Sequence, residues 1–546
     1  MATDDSQSLT PSYRTSDTKA VKPFQPHPSG AETGDENPVT TTDLREQGSP
    51  RAESTRDRRW LALAVIGVAQ LMIILDASIV NIALPHAQAA LHISDASRQW
   101  ALTAYTLTFG GLLLLGGRVA DFLGRKRTFL VGLAGFAAAS ALGGAAQNAG
   151  WLFGARALQG VFAAVLAPAV LSLITTTFTE PRERAKAFGV YGAISGAGGA
   201  IGLIAGGALT EFLSWRWTLL VNTPIAIAVA IASLPLLKES RVEGDRQYDV
   251  PGALLATLGL ASLVYGFTEA SLHSWTAAFT LTLISVGVAL LAAFVAWESH
   301  RRNRNPLLPM RIVLERNRGG SYLAFLLATL VMFTVFLFLT YYFQQVLGYS
   351  ALKAGVAFLP FPVGVIVSSA IASRTMPIFG PRILAAAGFL LGALGVLWLT
   401  QLSADSSYVT HIVPSELLIS LGMGQVFVPL SSTALLGVPN HDAGVASALV
   451  NTMQQVGGSL GIAFLNTIAT SATTHYALAH GGPSKAAVTH GFTTAFAVGV
   501  GVLVLAAIIV LALIQSNRKP AEPQTAEDFD YPDAAGRSLP EAVPAG

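Results

Sequence analysis

Few residues of this chain could do ionic chemistry away from water. The first is Asp76, in the stretch LDASIVNIALP (Leu75 to Pro85), at the end of an apolar run that begins at Leu61. A carboxylate near the centre of a membrane-spanning helix costs about 2.5–3.5 kcal/mol on insertion scales. Such groups usually face a protein interior or a water-filled cavity, where burial and nearby cations decide whether they hold a proton. Asp76 therefore reads as a proton-exchanging carboxylate in a translocation path. The plainer reading is a buried acid that a neighbour satisfies, tying helices together. Arg156 is the candidate partner. At about 1.5 Å per residue, Asp76 lies roughly 12 Å and Arg156 roughly 8 Å below the same membrane face. Removing the Asp76 charge should spare the fold, since a buried charge disappears.

A second set, Gly117, Asp121, Gly124, Arg125 and Lys126, lies at the other end of the following apolar run. It reads as a conformational gate, Asp121 being either its latch or a solvated loop acid. Pro381 and Arg382 follow Gly380 as the start of a helix, with Pro at the first position. A carboxylate is stabilised near such a start by unpaired N–H groups and the dipole. The uncharged Asn81, Asn222, Gln344, Gln345, Asn451, Gln454 and Gln455 lie within apolar runs, and either line a substrate cavity or hydrogen-bond across helices. Glu269 and Glu416 fall near membrane faces and read as interfacial charges. His475, His480 and His490 read as solvated loop residues, so no metal site is expected.

These groups need a membrane scaffold. The 546 residues are 52% hydrophobic and 12% charged, against about 25% charged in soluble domains. The net charge of +2 gives no basic surface for nucleic acid, and the absence of cysteine excludes disulfides and thiolate metal or redox sites. Runs long enough to cross a bilayer fall at 61–84, 98–117, 128–147, 151–176, 186–209, 216–237, 250–269 and 276–297. Six more fall at 319–343, 353–373, 381–401, 411–436, 443–469 and 490–514. That makes fourteen. With the N-terminus inside, the inner loops hold Arg118, Arg125, Lys126, Arg127, Arg182, Arg184, Lys186, Lys238, Arg241, Arg246, a dense run from Arg301 to Arg318, Arg374 and Arg382. The outer loops and helix ends hold only Arg98, Arg216, Lys353 and Lys485. This is the positive-inside bias, and it places both tails in the cytosol.

The chain also repeats itself. GRVADFLGRKR (Gly117 to Arg127) and SRTMPIFGPRI (Ser373 to Ile383) align Arg118, Gly124 and Lys126 with Arg374, Gly380 and Arg382 at one offset. At the same offset the glycines around Gly202 fall on Gly457 and Gly458. The expected organisation is a disordered cytosolic tail (1-59), a six-helix bundle (60-237), an inserted pair of peripheral helices with basic loops (238-318), a second six-helix bundle (319-514) and a second disordered tail (515-546). Deleting the first 55 residues should leave insertion and transport largely intact. Repeated six-helix units with a site between them are a transporter architecture.

Several segments carry a more specific resemblance. LDASIVNIALP, GGRVADFLGRKR, LFGARALQG (Leu152 to Gly160), WRWTLLVNTP (Trp215 to Pro224), YYFQQVLGYSALKAG (Tyr341 to Gly355) and NTMQQVGGSLG (Asn451 to Gly461) follow one another in order. Together they resemble the major facilitator superfamily, and within it the fourteen-span drug:proton antiporter family. The resemblance implies an all-α polytopic membrane protein with the major facilitator fold: two six-helix bundles plus two extra helices, 14 transmembrane helices in all. It implies that the first and fourth spans pack side by side facing a cavity, and that Asp121 reaches the helix start at Pro381 when the protein opens outward. One position departs. In the fifth-span motif Gly189, Gly198, Gly202, Gly206 and Gly207 keep the spacing, but Leu203 stands where the family has proline, so the kink a proline would impose is not expected.

The implied function is efflux of lipophilic, aromatic or cationic drugs or antibiotics by proton antiport with alternating access. The partners are a small lipophilic substrate, protons and the bilayer. The expected form is a monomer without cofactor, multi-pass in a bacterial plasma membrane. No GxxxxGK[ST] loop for nucleotide phosphates occurs, so the power source is an ion gradient. Two alternatives stay open: a proton-coupled importer or exporter of an endogenous metabolite and, more remotely, a membrane-embedded enzyme. Transport direction and lipid turnover respectively would reveal them.

Overall fold

The computed structural model describes residues 50–178, 180–240, 249–300, 308, 310–438 and 443–515. Both expected tails, 1-59 and 515-546, lie outside these residues except for 50–59 and 515. The described chain is helical with short connections: α1 (Pro50–Leu91), α2 (Trp100–Leu123), α3 (Arg125–Gly144), α4 (Ala149–Thr177), α5 (Pro181–Phe212), α6 (Trp217–Leu220), α7 (Asn222–Leu236), α8 (Val250–Leu272) and α9 (Ala278–His300). The second part holds α10 (Met310–Val313), α11 (Arg316–Tyr341), α12 (Ala351–Ala357), α13 (Pro360–Leu399), α14 (Val413–Leu435), α15 (Ala443–Ala479) and α16 (Lys485–Leu513), with π turns at Tyr342–Val346 and Tyr408–Ile412.

All fourteen apolar runs fall on helix, but not one helix to a run. Among the described residues, ten helical stretches are long and apolar enough to cross a membrane. α12 and α13 form one of them, Ala351–Leu399, where two runs were read. It is interrupted before Pro360, whose missing N–H suits a helix start, and again at Gly380, between the two runs. The expected loop at 374–380 is instead helical up to Gly380. α1 begins at Pro50, ten residues before the expected bundle start, because RAESTRDRRW contains neither Gly nor Pro to stop it. α5 runs unbroken past Leu203, as expected from the missing proline.

The repeat has a conformational counterpart. Gly124 (φ 102°) ends α2 and Gly380 (φ 74°) breaks α13. They are the two glycines aligned by the sequence offset, and both occupy a region that costs little only without a Cβ. A side chain at Gly124 would also strike the Glu239 carboxylate, 2.4 Å from the added Cβ.

Packing shows two ends that differ. One hydrophobic core runs from Val80–Leu91 of α1 and the start of α2 straight into α11, α13, α14, α15 and α16. The rest of α1, α2, α3 and α4 packs with α7 around a separate core toward Gly124. The first helices (α1 to α7) and the last (α11 to α16) thus fuse at the Arg98 end, while at the Gly124 end the first set keeps a core of its own. α2 lies along α15, α5 meets α12 and α13, and α8 rests on both α2 and α15 with α9 on its flank. Many large apolar side chains face outward, such as Ile231, Ile378 and Leu505. In water such a surface would aggregate; in a bilayer it is the lipid face.

Candidate functional site

Asp76 sits where five helices meet. Its Oδ2 accepts a hydrogen bond from Arg156 Nη1 of α4 at 2.5 Å, and Oδ1 accepts from Gln159 Nε2 at 3.0 Å and Asn222 Nδ2 at 2.8 Å. Gln159 also donates to Ser140 Oγ of α3 at 2.6 Å and accepts from Arg156 Nη1 at 2.8 Å. Arg156 Nε donates to the Ala101 carbonyl of α2 at 3.0 Å, and its guanidinium lies 4.4 Å from the Tyr105 ring centroid. Asp76, Arg156, Gln159, Asn222 and Ser140 are all 0% exposed. Sealed from water, an ionised carboxylate persists only when paired and hydrogen-bonded, and Asp76 has a guanidinium and two amides. Three atoms of this cluster keep unused capacity: Arg156 Nη2, Asn222 Oδ1 and Tyr105 Oη have no partner.

Local sequence positions these groups. Asn148 caps α4 by accepting from Trp151 N at 2.9 Å, which fixes the helix start two turns before Arg156. Gln159 is three residues on, on the same helical face. Asn222 opens α7 after the break at Val221. The expected pairing of Asp76 with Arg156 is present, but the pair is enclosed within the first helices and does not line an open cavity. Gln159, Ser140 and Tyr105 were not singled out from the sequence; the spacing of Gln159 from Arg156 was a usable signal for it.

The pair also bears on the expected harmlessness of losing the Asp76 charge, which needs correcting. Asp76→Asn would leave Arg156 buried without its counter-ion, and stranding one partner of a buried pair costs about 3–5 kcal/mol.

The expected cavity residues do not converge. Asn222 belongs to the Asp76 cluster. Gln344 Nε2 donates to Ile82 O at 2.8 Å across the Arg98 end, and Gln345 is exposed beside it. Asn81 is nearly buried, with Oδ1 unpartnered. Asn451 is exposed and Gln454 half-buried, both early in α15 at the Gly124 end.

The glycines of α5 build two contacts. An added Cβ at Gly198, Gly202 or Gly206 would come within 3.0 Å of Leu71 and Ile74, Ser78, or Ile79 of α1. At Gly207 it would lie 2.6 Å from Leu352 of α12. Small residues four apart let helix backbones approach closely. α12 closes from its own side: a Cβ on Gly355 would stand 2.3 Å from the Leu203 carbonyl, and Leu352 N donates to Glu211 Oε2 at 2.9 Å. Arg98 completes this seal. It pairs with Asp95 at 3.3 Å, donates to Asn466 Oδ1 of α15 at 3.4 Å, and stacks 4.0 Å from the Tyr341 ring centroid. Asn466 also bonds Gln99.

At the opposite end, Lys126 N and Arg127 N both donate to the Glu239 carboxylate at 3.2 Å, Arg125 N donates to Ser240 O at 3.1 Å, and Lys126 Nζ reaches Leu234 O at 2.7 Å. The carboxylate at the α3 N-terminus is thus Glu239, a residue the sequence reading had not singled out. Gly117 makes ordinary contact with Pro168. The Asp121 backbone belongs to α2, but its side chain lies outside the described set. Glu269, read as an interfacial charge, pairs with His273 Nδ1 at 2.6 Å. Glu416, read the same way, is instead 2% exposed with both oxygens unpartnered.

Comparison with known proteins bears on this geometry. The Major Facilitator Superfamily profile matches residues 66–462. The puromycin resistance protein of Streptomyces alboniger is 51% identical over 471 residues, 85% of this chain and 93% of that protein. The cephamycin export protein of Amycolatopsis lactamdurans is 40% identical over 85% of this chain and 94% of its own. A multidrug efflux pump of Mycolicibacterium smegmatis is 32% identical over 78% and 84% respectively. Among solved structures, a POT family transporter superposes with a TM-score of 0.61 at 15% identity, covering 84% of this chain and 97% of that one. A bacterial homologue of the lysosomal transporter Spinster, inward-facing and unoccupied, gives 0.58 at 16% identity with the same coverage. Those two likenesses concern the fold.

Proposed function

The chain belongs to the Major Facilitator Superfamily, and on that footing we propose that it exports lipophilic drugs or antibiotics by proton antiport with alternating access. The observation that carries the reading is the sealed Asp76–Arg156 pair, a titratable carboxylate held by groups from the first helices. The relatives named for antibiotic resistance and export supply the substrate class. A proton arriving at Asp76 cancels its charge and weakens its hold on Arg156, Gln159 and Asn222. Arg156 Nη2 and Asn222 Oδ1, unpartnered now, are the groups able to take up new bonds.

Within two or three residues of Asp76, Ser78 and Ile79 carry α1 against Gly202 and Gly206 of α5, whose next residue, Gly207, meets Leu352 of α12. A change at the carboxylate therefore reaches the seal through one packed path. Counting α2, α5 and α15 as spans and dividing α13 at Gly380 gives fourteen, an even number, with both tails on one side. The basic loops support a cytosolic Gly124 end, and the seal at the Arg98 end would then face outward. In the opposite state Asp121 latches onto the helix start at Pro381. The unit that works is a monomer in a bacterial plasma membrane.

The test is purified protein in proteoliposomes with an imposed pH gradient, offered puromycin first. Drug-driven proton movement in the parent, and none in Asp76→Asn after correction for the amount of folded protein, supports the reading. Normal stoichiometry and pH profile in Asp76→Asn would move coupling elsewhere, and uptake in place of efflux would make the protein an importer.

A further inference from the structure

Glu416 belongs to the first turn of α14, and nothing described above uses it. Its carboxyl faces a cavity of about 10 Å³ lined by Val335, Phe336 and Leu339 of α11, Phe358, Phe361 and Ile419. The walls are hydrocarbon and ring: Phe336 lies 4.8 Å from Phe361 and 5.2 Å from Phe358, centroid to centroid. Neither carboxyl oxygen has a hydrogen-bond partner. Among the described residues the titratable groups on the elements around it are Arg316, Arg318, Tyr322 and Tyr341 of α11, Lys353 of α12, whose ammonium lies over the Tyr349 ring, Arg374 and Arg382 of α13, His475 and Tyr476 of α15, and Tyr408 and His411 of the π turn. The Tyr408 hydroxyl, on the preceding turn, donates elsewhere, to Ala357 O at 2.8 Å. Among the described residues no cation forms an ion pair with Glu416. A bare carboxylate cannot persist in such a place, so it takes up a counter-charge. The room is that of one water-sized sphere, and the walls offer an ammonium no acceptors for its remaining N–H groups. A proton fits where an organic cation does not.

The place of this cavity in the fold gives it a task. Phe358 directly follows α12, the helix that seals against α5 through Leu352 and Gly355. The wall of the cavity and the seal of the Arg98 end are thus neighbouring turns of one segment. We propose that Glu416 is a second proton-binding site, distinct from Asp76, which gates the Arg98 end. It holds a proton while that end is closed and returns it to water on the same side as the end opens. The proton adds from that water to a carboxylate oxygen, giving a neutral acid over which Phe358 and α12 can close. A charged Glu416 needs water and keeps the segment apart. The idea borrows alternating access from the antiport reading but does not need Asp76 to be the coupling group.

The chain has no cysteine, so spin labels at Leu213→Cys and Leu478→Cys, exposed positions at the Arg98 end on α5's cap and α15, report opening against no background. Measured in liposomes without drug, the open fraction should rise with pH in the parent and stay low and flat in Glu416→Gln. Infrared difference spectra should show a protonated carboxylic acid at low pH that Glu416→Gln lacks. If the amide disturbs folding, Glu416→Leu, which needs no proton in hydrocarbon, should give the same flat profile. A Glu416→Gln or Glu416→Leu protein that opens with pH as the parent does, or parent and variant spectra without a difference in the acid band, would overturn the proposal. Drug-driven proton movement in the parent tests the antiport reading separately, so failure there leaves the Glu416 result to stand or fall alone.

Discussion

Gly355→Ala should open the Arg98 end, and the size of the effect can be worked from the packing. The added Cβ would stand 2.3 Å from the Leu203 carbonyl oxygen. Both atoms are fixed to helix backbones, so no side-chain rotation relieves the contact. Reaching even 3.0 Å requires α12 to retreat from α5 by at least 0.7 Å, and the retreat runs along the direction in which the two sets of helices part. The intrinsic gain of Ala over Gly within a helix, about 1 kcal/mol, acts in both states and cancels. The clash acts only in the closed one. Overpacking of this kind costs about 1–3 kcal/mol, which at about 1.4 kcal/mol per tenfold shifts the closed-to-open ratio about 5- to 150-fold. Ala351, 2% exposed at the same contact, provides the probe. In an Ala351→Cys background, labelling by a membrane-impermeant maleimide should quicken by that factor. Gly501→Ala, whose Cβ meets nothing within 4 Å, should change nothing. If labelling in Gly355→Ala matches that control while the protein stays folded, the α5–α12 contact is not the seal.

Other outcomes follow from the same geometry. Asp76→Asn should lower stability by about 3–5 kcal/mol through the stranded Arg156, and adding Arg156→Gln should recover part of the loss; thermal unfolding in detergent measures both. Arg156→Lys keeps the charge but loses the planar fork that holds Ala101 O and Asp76 together, so transport should fall and its pH profile shift, read as initial rates in proteoliposomes. Glu239→Ala removes the acceptor for two N–H groups at the start of α3; a loss of about 1 kcal/mol, as for other helix caps, should appear as a lower Tm.

The sequence exposes what depends on spacing along one helix. Asp76 and Arg156 could be matched because depth is linear in residue number, and Gly124 and Gly380 because a repeat preserves backbone demands. Ser140 was invisible, a serine in a helix of Ala, Gly and Phe with nothing to mark which way it points. Glu416 was misplaced for a related reason. Its distance from the helix end is short, and only the turn of chain at Tyr408–Ile412 with the rings of α11 shows that this end is buried. Of the uncharged Asn and Gln residues, Asn222 and Gln344 hydrogen-bond across helices, one of the two roles read for them, but a polar side chain in an apolar run says that a partner exists and not where it lies.

The hairpin α8–α9 makes the protein lopsided in the membrane plane. α8 touches α2 and α15, which also touch each other, so on that flank three helices share a post. On the other flank α5 meets α12 and α13 through glycines and a few hydrogen bonds. Under the alternating access proposed above, motion between the two sets of helices is that of a door hung on one side. The α5 edge sweeps farthest, and the lipids standing there must be pushed aside at every turnover, whereas those around α9 need hardly move. Bilayer stiffness is felt through that one edge, and a bulky or rigid lipid bound beside α5 would slow the cycle as surely as a change in the gate itself.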